Sequence, residues 1–244
     1  MAKPIDLADL YPDIALEGSL AGAVRTVASK EGFSAPFTTS AFNPLCNASV
    51  ASVASQRTTL EISAWAAERR WSIRGCEVFQ GMALIDGTTQ DLTQLVRAAQ
   101  AWHDGAALHD ISQAAPFVHL TGRFEMTDHD PVQLAESEWQ HLRAEADERE
   151  WPEYRALVEA AFAEPMLRGL YPFTSHSTLR FSTTTRPRLT VIPLCLDAHR
   201  GNRFTLSASI MGEVLVDSTS AADAVSTAVR HLPDGLGPVT PGTV

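Results

Sequence analysis

Apolar residues recur with helical spacing in several stretches of the chain and alternate with polar ones in others. Leu20, Val24, Val27 and Ala28 predict a helix that stops at Gly32. Leu92, Leu95, Val96, Ala99 and Trp102 predict a second, and Ala221, Val225, Ala228, Val229 and Leu232 a third. Asp130-Pro131-Val132-Gln133 reads as a helix start, with Asp as N-cap, Pro at the first helical position and Gln closing a capping box. Ala135, Trp139, Leu142 and Ala146 continue that helix, while Glu145, Asp147, Glu148 and Glu150 face solvent. Trp151-Pro152 breaks it and opens another, with Tyr154, Leu157, Val158, Ala161 and Phe162 as its stripe and Pro165 as its end. Residues 58–65, 117–124, 177–183 and 189–196 alternate as strands do. Residues 35–55 are small, polar and irregular and predict a flexible loop, and the Pro/Gly-rich end from Leu232 predicts a tail.

The pattern repeats itself. Arg70-Trp71-Ser72-Ile73 followed by residues 82–91 is echoed by Arg203-Phe204-Thr205-Leu206 followed by residues 211–220. Asp86 and Asp217 are 131 residues apart and Trp71 and Phe204 are 133 apart, so this alignment needs a short gap. Each copy reads as strand, strand, tight turn and helix, with Thr88/Thr89 or Thr219/Ser220 offering an N-cap oxygen. The expected fold class is α+β: duplicated strand–strand–(strand)–helix units with antiparallel sheets and a central helical insert. The halves would be residues 1–125 and 166–244 with the insert at 126–165, possible also as one domain.

Composition narrows the function. The chain has 244 residues and 29 Asp+Glu against 19 Lys+Arg, a net charge of −10, which disfavours nucleic acid and anionic membranes as partners. Only Lys3 and Lys30 are lysines. Nothing approaches a membrane span, and the start lacks the apolar core of a signal peptide, so a cytoplasmic protein is expected. Cys46, Cys76 and Cys195 lie far apart, without zinc spacing. No Gly-rich phosphate loop, HExxH or dinucleotide fingerprint occurs, and no cofactor is expected.

Candidate chemistry concentrates after the helical insert. Arg168, Arg180, Arg186 and Arg188, with Thr174, Ser175, His176, Ser177 and Ser182, suit the binding of a carboxylate, sulfate or phosphate. On a strand, Thr178, Arg180 and Ser182 share one face and Leu179 and Phe181 the other. The same residues also fit a solvated strand face, with His176 in a turn. Adjacent Ser175 and His176 do not make a hydrolase pair, because no nucleophile elbow surrounds them. Glu125, at the end of a strand, is a candidate general base or a surface carboxylate. Glu138 fits a helix-surface salt bridge better than a cleft.

Several segments together resemble an actinomycete family of natural-product biosynthesis proteins of unknown function. They include Leu10-Tyr-Pro-Asp-Ile-Ala, Asp86-Gly-Thr-Thr-Gln-Asp-Leu, Ala101-Trp-His-Asp-Gly-Ala-Ala-Leu108 and the run from Glu159 through Arg168-Gly-Leu-Tyr-Pro-Phe-Thr-Ser-His176 to Ser182. Leu232-Pro-Asp-Gly-Leu-Gly-Pro-Val extends the likeness to nearly the whole chain. Many members read Phe-Ser-Arg-x-Thr-Gly after the His motif, where this chain has Phe181-Ser-Thr-Thr-Thr-Arg186. One branch of the family closes aziridine rings in azinomycin-type pathways. The resemblance implies a sulfotransferase-like partner and a substrate tethered to an amino-group carrier protein, on which an amine displaces sulfate. Glu125 and His176 would then be catalytic, with Arg168, Ser175, Arg180 and Ser182 binding substrate. The competing reading is a non-catalytic adaptor that stabilises a biosynthetic partner or presents its carrier protein.

Overall fold

In the computed structural model, which describes residues 7–242, the chain folds as an α+β protein in two units, Met1–Thr121 and Gly122–Val244. The first six residues of the start, read as lacking a signal-peptide core, and the last two of the Pro/Gly-rich end lie outside the described residues. No helix among the described residues is long and apolar enough to cross a membrane.

The first unit runs α1 (Leu7–Leu10), α2 (Pro12–Glu17), α3 (Leu20–Lys30), then strands β1 (Phe37–Thr39), β2 (Asn47–Val50), β3 (Leu60–Ala64), β4 (Trp71–Cys76) and β5 (Ala83–Thr89). Helices α4 (Leu92–His103) and α5 (Leu108–Ala114) and strand β6 (Val118–Leu120) complete it. The strands form one antiparallel sheet in chain order, β1 to β6. Leu20 and Val24 of α3 and Leu95, Val96 and Trp102 of α4 are buried with Val50, Leu60, Ile62, Trp71, Ile73 and Ile85 in one core. Period-2 strands and period-3.6 helices thus present their apolar sides to each other.

The second unit opens with α6 (Pro131–Glu148), α7 (Pro152–Ala163) and α8 (Pro165–Arg168). Strands β7 (Tyr171–Ser175), β8 (Thr178–Ser182), β9 (Thr184–Pro187), β10 (Val191–His199), β11 (Arg203–Ser207) and β12 (Val214–Ser218) follow, then α9 (Ala221–Arg230) and β13 (Thr240–Gly242). Its main sheet has the order β12-β11-β10-β8-β7, and β13 pairs with β9 in a separate two-stranded sheet. Leu179 and Phe181 face the helices with Leu194, Leu196, Phe204 and Leu206, and Trp139, Leu157, Val158 and Val225 meet them there.

Stripped of additions, each unit is a helix, a five-stranded antiparallel meander and a second helix: α3, β1–β5 and α4, or α7, β7, β8, β10–β12 and α9. The registers coincide in detail. Arg74 pairs with Asp86, Gly75 with Ile85 and Cys76 with Ala83, so Leu84 is bulged out. Thr205 pairs with Asp217, Leu206 with Val216 and Ser207 with Val214, so Leu215 is bulged out. Every equivalent pair on these two strands is offset by 131 residues, including Ile73 with Phe204. The gap needed to match Trp71 with Phe204 therefore disappears; Ile73 is the true counterpart. A bulge kept at one register position is hard to reach from two unrelated β-β-α units.

Local differences from the sequence reading have local causes. Residues 35–55 carry β1 and β2 instead of a free loop: Phe37, Ala48 and Val50 supply the buried side of two strands too short to show periodicity. The strand expected over 117–124 pairs only at Val118–Leu120, after which Gly122 takes a positive φ of 83° and turns the chain. The α4 N-cap is Asp91, whose carboxylate accepts from Thr93 and Gln94 N–H, while Thr89 accepts from Asp91 N–H. Ser220 caps α9 as expected, through Asp223 N–H. Asp91→Ala and Ser220→Ala should each cost about 1 kcal/mol in urea denaturation, each removing one capping acceptor. A cost near zero for either would mean that water replaces that cap.

Candidate functional site

The six residues singled out by sequence fall at separate places on the second unit. Ser175 ends β7, and His176 and Ser177 form the two-residue tip of the β7–β8 hairpin with φ of 53° and 68°. Both signs are those of a tight hairpin turn, reached here without glycine. His176 is exposed, with its Nδ1 3.4 Å from the Ser175 hydroxyl. Arg180 lies on the β8 face opposite Leu179 and Phe181, its guanidinium 5.4 Å from the centre of the Phe173 ring. Beside it, burial pushes the Cys195 thiol pKa up against the pull of Arg180, so the thiol stays protonated. Ser182 is fully buried, and its hydroxyl donates to the Thr184 carbonyl at 2.7 Å. That bond turns β8 into β9 and leaves Ser182 no access to a surface ligand. Glu125 is half-buried in the segment that leads from β6 to α6.

Arg168 is elsewhere, at the end of α8 just before β7, and β7 itself spans roughly 14 Å before reaching Ser175. Arg168 and the Ser175–His176 pair therefore do not share one small-molecule site. Instead Arg168 meets Glu136 of α6, with Nη2 3.2 Å from Oε2. The other Glu136 oxygen accepts from Gln140 at 2.7 Å. The Phe162 ring lies 4.4 Å from the Arg168 guanidinium and steadies it. Arg168 and Glu136 line a groove of about 330 Å³ with Val132, Ala135, Pro165, Gly169 and Val239. A second hollow of about 190 Å³ shares Pro165 and Gly169 and adds Met166, Leu170 and Leu236. Apolar walls with one guanidinium and one carboxylate are the composition expected of a small-molecule site.

Behind the groove is a charged cluster that sequence reasoning missed. Tyr171 is fully buried and packs in one cluster with Ala135 and Val239, which also line the groove. Glu138, read as a helix-surface salt bridge, is buried and forms a two-bond ion pair with buried Arg123, at 2.7 and 2.9 Å. Burial, followed by the Glu138 charge, pushes the Tyr171 phenol far above its usual range despite Arg186 and Arg123 nearby, so it remains a neutral hydroxyl. The Tyr171 hydroxyl and Arg186 Nε are both buried without a hydrogen-bond partner. The available signal was Glu138 itself, one position before the buried Trp139 on the inward side of α6.

The first unit carries a polar hollow of its own, about 480 Å³, on the sheet face away from the helices. Thr38, Ser40, Asn47, Ser49, Thr59, Glu61 and Ser63 line it. One cross-strand row runs through it in register: Thr38, Ser49, Glu61, Arg74, Asp86 and His119. In the second unit the equivalent row is Ser175, Thr178, Asp197, Thr205 and Asp217, with Thr178 donating to Asp197. Both rows read hydroxyl, hydroxyl, carboxylate, variable, Asp. Among the described residues no group of three or more His, Cys, Asp or Glu is placed to hold a metal ion.

Comparison with known proteins bears on the second unit. No curated protein and no solved structure matches the chain. A family model described as "Family of unknown function (DUF6193)" matches residues 133–243, a span that starts inside α6 and takes in the groove except for Val132, the second meander and α9.

Proposed function

We propose that this chain is a natural-product biosynthesis protein that closes a three-membered ring, an aziridine synthase acting on a substrate tethered to an amino-group carrier protein. The observation that supports this reading is the Arg168–Glu136 pair at the mouth of a mainly apolar groove of about 330 Å³. A substrate with an amine and a sulfate ester on neighbouring carbons carries opposite charges close together, the complement of this pair. On binding, Arg168 takes the sulfate through its planar fork and Glu136 takes the ammonium. Glu136 accepts the ammonium proton, the nitrogen lone pair forms the new C–N bond, and the C–O bond breaks with its electrons leaving on sulfate. Holding nitrogen and carbon in line supplies much of the rate. No cofactor is needed, and a sulfotransferase-like partner supplies the sulfate ester.

The test is loss of sulfate from the synthetic carrier-bound ester, followed by mass spectrometry. Arg168→Ala and Glu136→Gln are each expected to slow ring closure by about 10²-fold or more. Arg180→Ala and His176→Ala should keep the wild-type rate, because both lie away from the groove. Wild-type turnover by Arg168→Ala would move the site elsewhere, and loss of activity in Glu125→Gln alone would return the base to Glu125. The adaptor reading is supported by a separate feature, the unpaired edge of β12 with Val214 and Leu215 exposed.

A further inference from the structure

The repeat makes one difference between the units informative. In the first unit, β5 is paired on both sides: β4 holds one edge and β6 the other, with Ile85 opposite Leu120, Asp86 opposite His119 and Gly87 opposite Val118. His119 Nδ1 lies 3.1 Å from the Asp86 carboxylate. Strand β12 is the counterpart of β5 down to the bulge, yet it pairs only with β11, and its outer edge is the end of the sheet. The chain after α9 leads to β13, which joins β9, so nothing among the described residues takes the place of β6.

That edge is also unusually apolar for an open one. Val214 and Leu215 are 49% and 46% exposed, and Ile210 and Met211 on the adjoining turn are 37% and 99% exposed. Open edges are normally blunted by lysine, by proline or by short length. The other edges follow that rule: β1 and β6 have three residues each, and β7 carries Pro172. Val214-Leu-Val-Asp-Ser218 has no lysine and no proline and is 5 residues long, although its bulge at Leu215 adds local twist. The charges on and beside it are Glu213 and Asp217, with Arg203 tied to Asp217 at 2.8 Å, in a chain of net charge −10.

We propose that β12 is a docking edge for an extended segment of a partner protein, added antiparallel as a sixth strand, with apolar residues alternating about a basic one. Strand β6 supplies the precedent for that occupant, since Val118-His119-Leu120 closes the equivalent edge and sets an imidazole against the equivalent Asp. Main-chain bonds give such an addition its affinity and the alternating side chains its selectivity. Burial of Val214, Leu215 and Met211 beneath the added strand supplies the apolar contribution. This edge does not depend on what the Arg168 groove binds.

The probe is a synthetic peptide with the sequence of residues 115–123, Ala-Pro-Phe-Val-His-Leu-Thr-Gly-Arg, added to the full chain. Fluorescence anisotropy should show saturable binding, and amide hydrogen exchange should slow in residues 213–218 only. Val214→Lys and Leu215→Lys, both on exposed side chains that the fold tolerates, should each weaken binding by about tenfold or more. A peptide with His119→Glu should bind more weakly, and one with Val118→Pro and Leu120→Pro not at all. Absence of binding at millimolar peptide overturns the proposal, as does protection at β4 or β5 in place of β12. Concentration-dependent dimerisation that Leu215→Lys abolishes would make the occupant a second copy and equally overturn it.

Discussion

Glu138→Ala is expected to destabilise the second unit by about 3–5 kcal/mol, because it takes a two-bond carboxylate partner away from the buried Arg123 guanidinium. The pair is 7% and 5% exposed and joined by two hydrogen bonds, so each charge is held mainly by the other and not by solvent. Arg123→Ala should cost a similar amount by leaving the Glu138 carboxylate alone beside the neutral Tyr171 hydroxyl. The double change Arg123→Met with Glu138→Leu should recover most of the loss, since it removes both charges and fills the volume. The contrast separates a buried pair from ordinary packing: truncating two independent apolar residues would give additive losses. Urea denaturation followed by hydrogen exchange in residues 123–242 is the appropriate measurement, because it reads the second unit directly. A loss below 1 kcal/mol for Glu138→Ala would mean that the pair is solvated.

The second large effect is expected at Trp139, where stability and the groove meet. Its side chain is fully buried, lies edge-on to Phe162 at 5.7 Å between ring centres and donates its indole N–H to the Arg168 carbonyl at 3.1 Å. Trp139→Ala removes a large buried aromatic and should cost about 3–5 kcal/mol. Trp139→Phe keeps most of the apolar contact and deletes the bond to Arg168, at a cost nearer 1 kcal/mol. That smaller change also frees the end of α8, so the groove should bind its ligand less well although the fold persists. Equal losses of stability for the two variants would show that the indole N–H matters more than the ring.

The helices were legible from sequence because their determinants are local. Asp130 and Pro131 start α6 and Ser220 starts α9, as caps predict, and the stripes ending at Trp102 and Leu232 are the faces that pack, although α9 itself ends at Arg230. Alternation likewise placed Leu179 and Phe181 toward the core and Thr178, Arg180 and Ser182 away from it. The short strands β1 and β2 escaped, because three or four residues carry too little periodicity to stand out from a polar loop.

The candidate site was less legible. Grouping four arginines within some twenty residues identified a cationic stretch but not its geometry, since a strand carries its two ends far apart. Arg168 finds Glu136 on another helix, whereas Arg180 faces Phe173 and Cys195 and Ser182 is committed to a turn. Glu138 and Arg123, 15 residues apart, pair only because the segment after the turn at Gly122 lies along α6, where Phe124 N–H also donates to the Ser137 hydroxyl.

By itself, then, the amino-acid sequence determined the α+β class, the helix starts and stops, and an internal repeat anchored on Asp86 and Asp217. It did so because caps, periodicity and similarity act along the chain. Tertiary structure alone decided the register that replaces Trp71 with Ile73 in the repeat, the burial of Glu138 with Arg123, the groove around Arg168 and the edge of β12 left unpaired. Each of these depends on which strand or helix becomes a neighbour, and neighbourhood is set by long-range packing that no short window of residues contains.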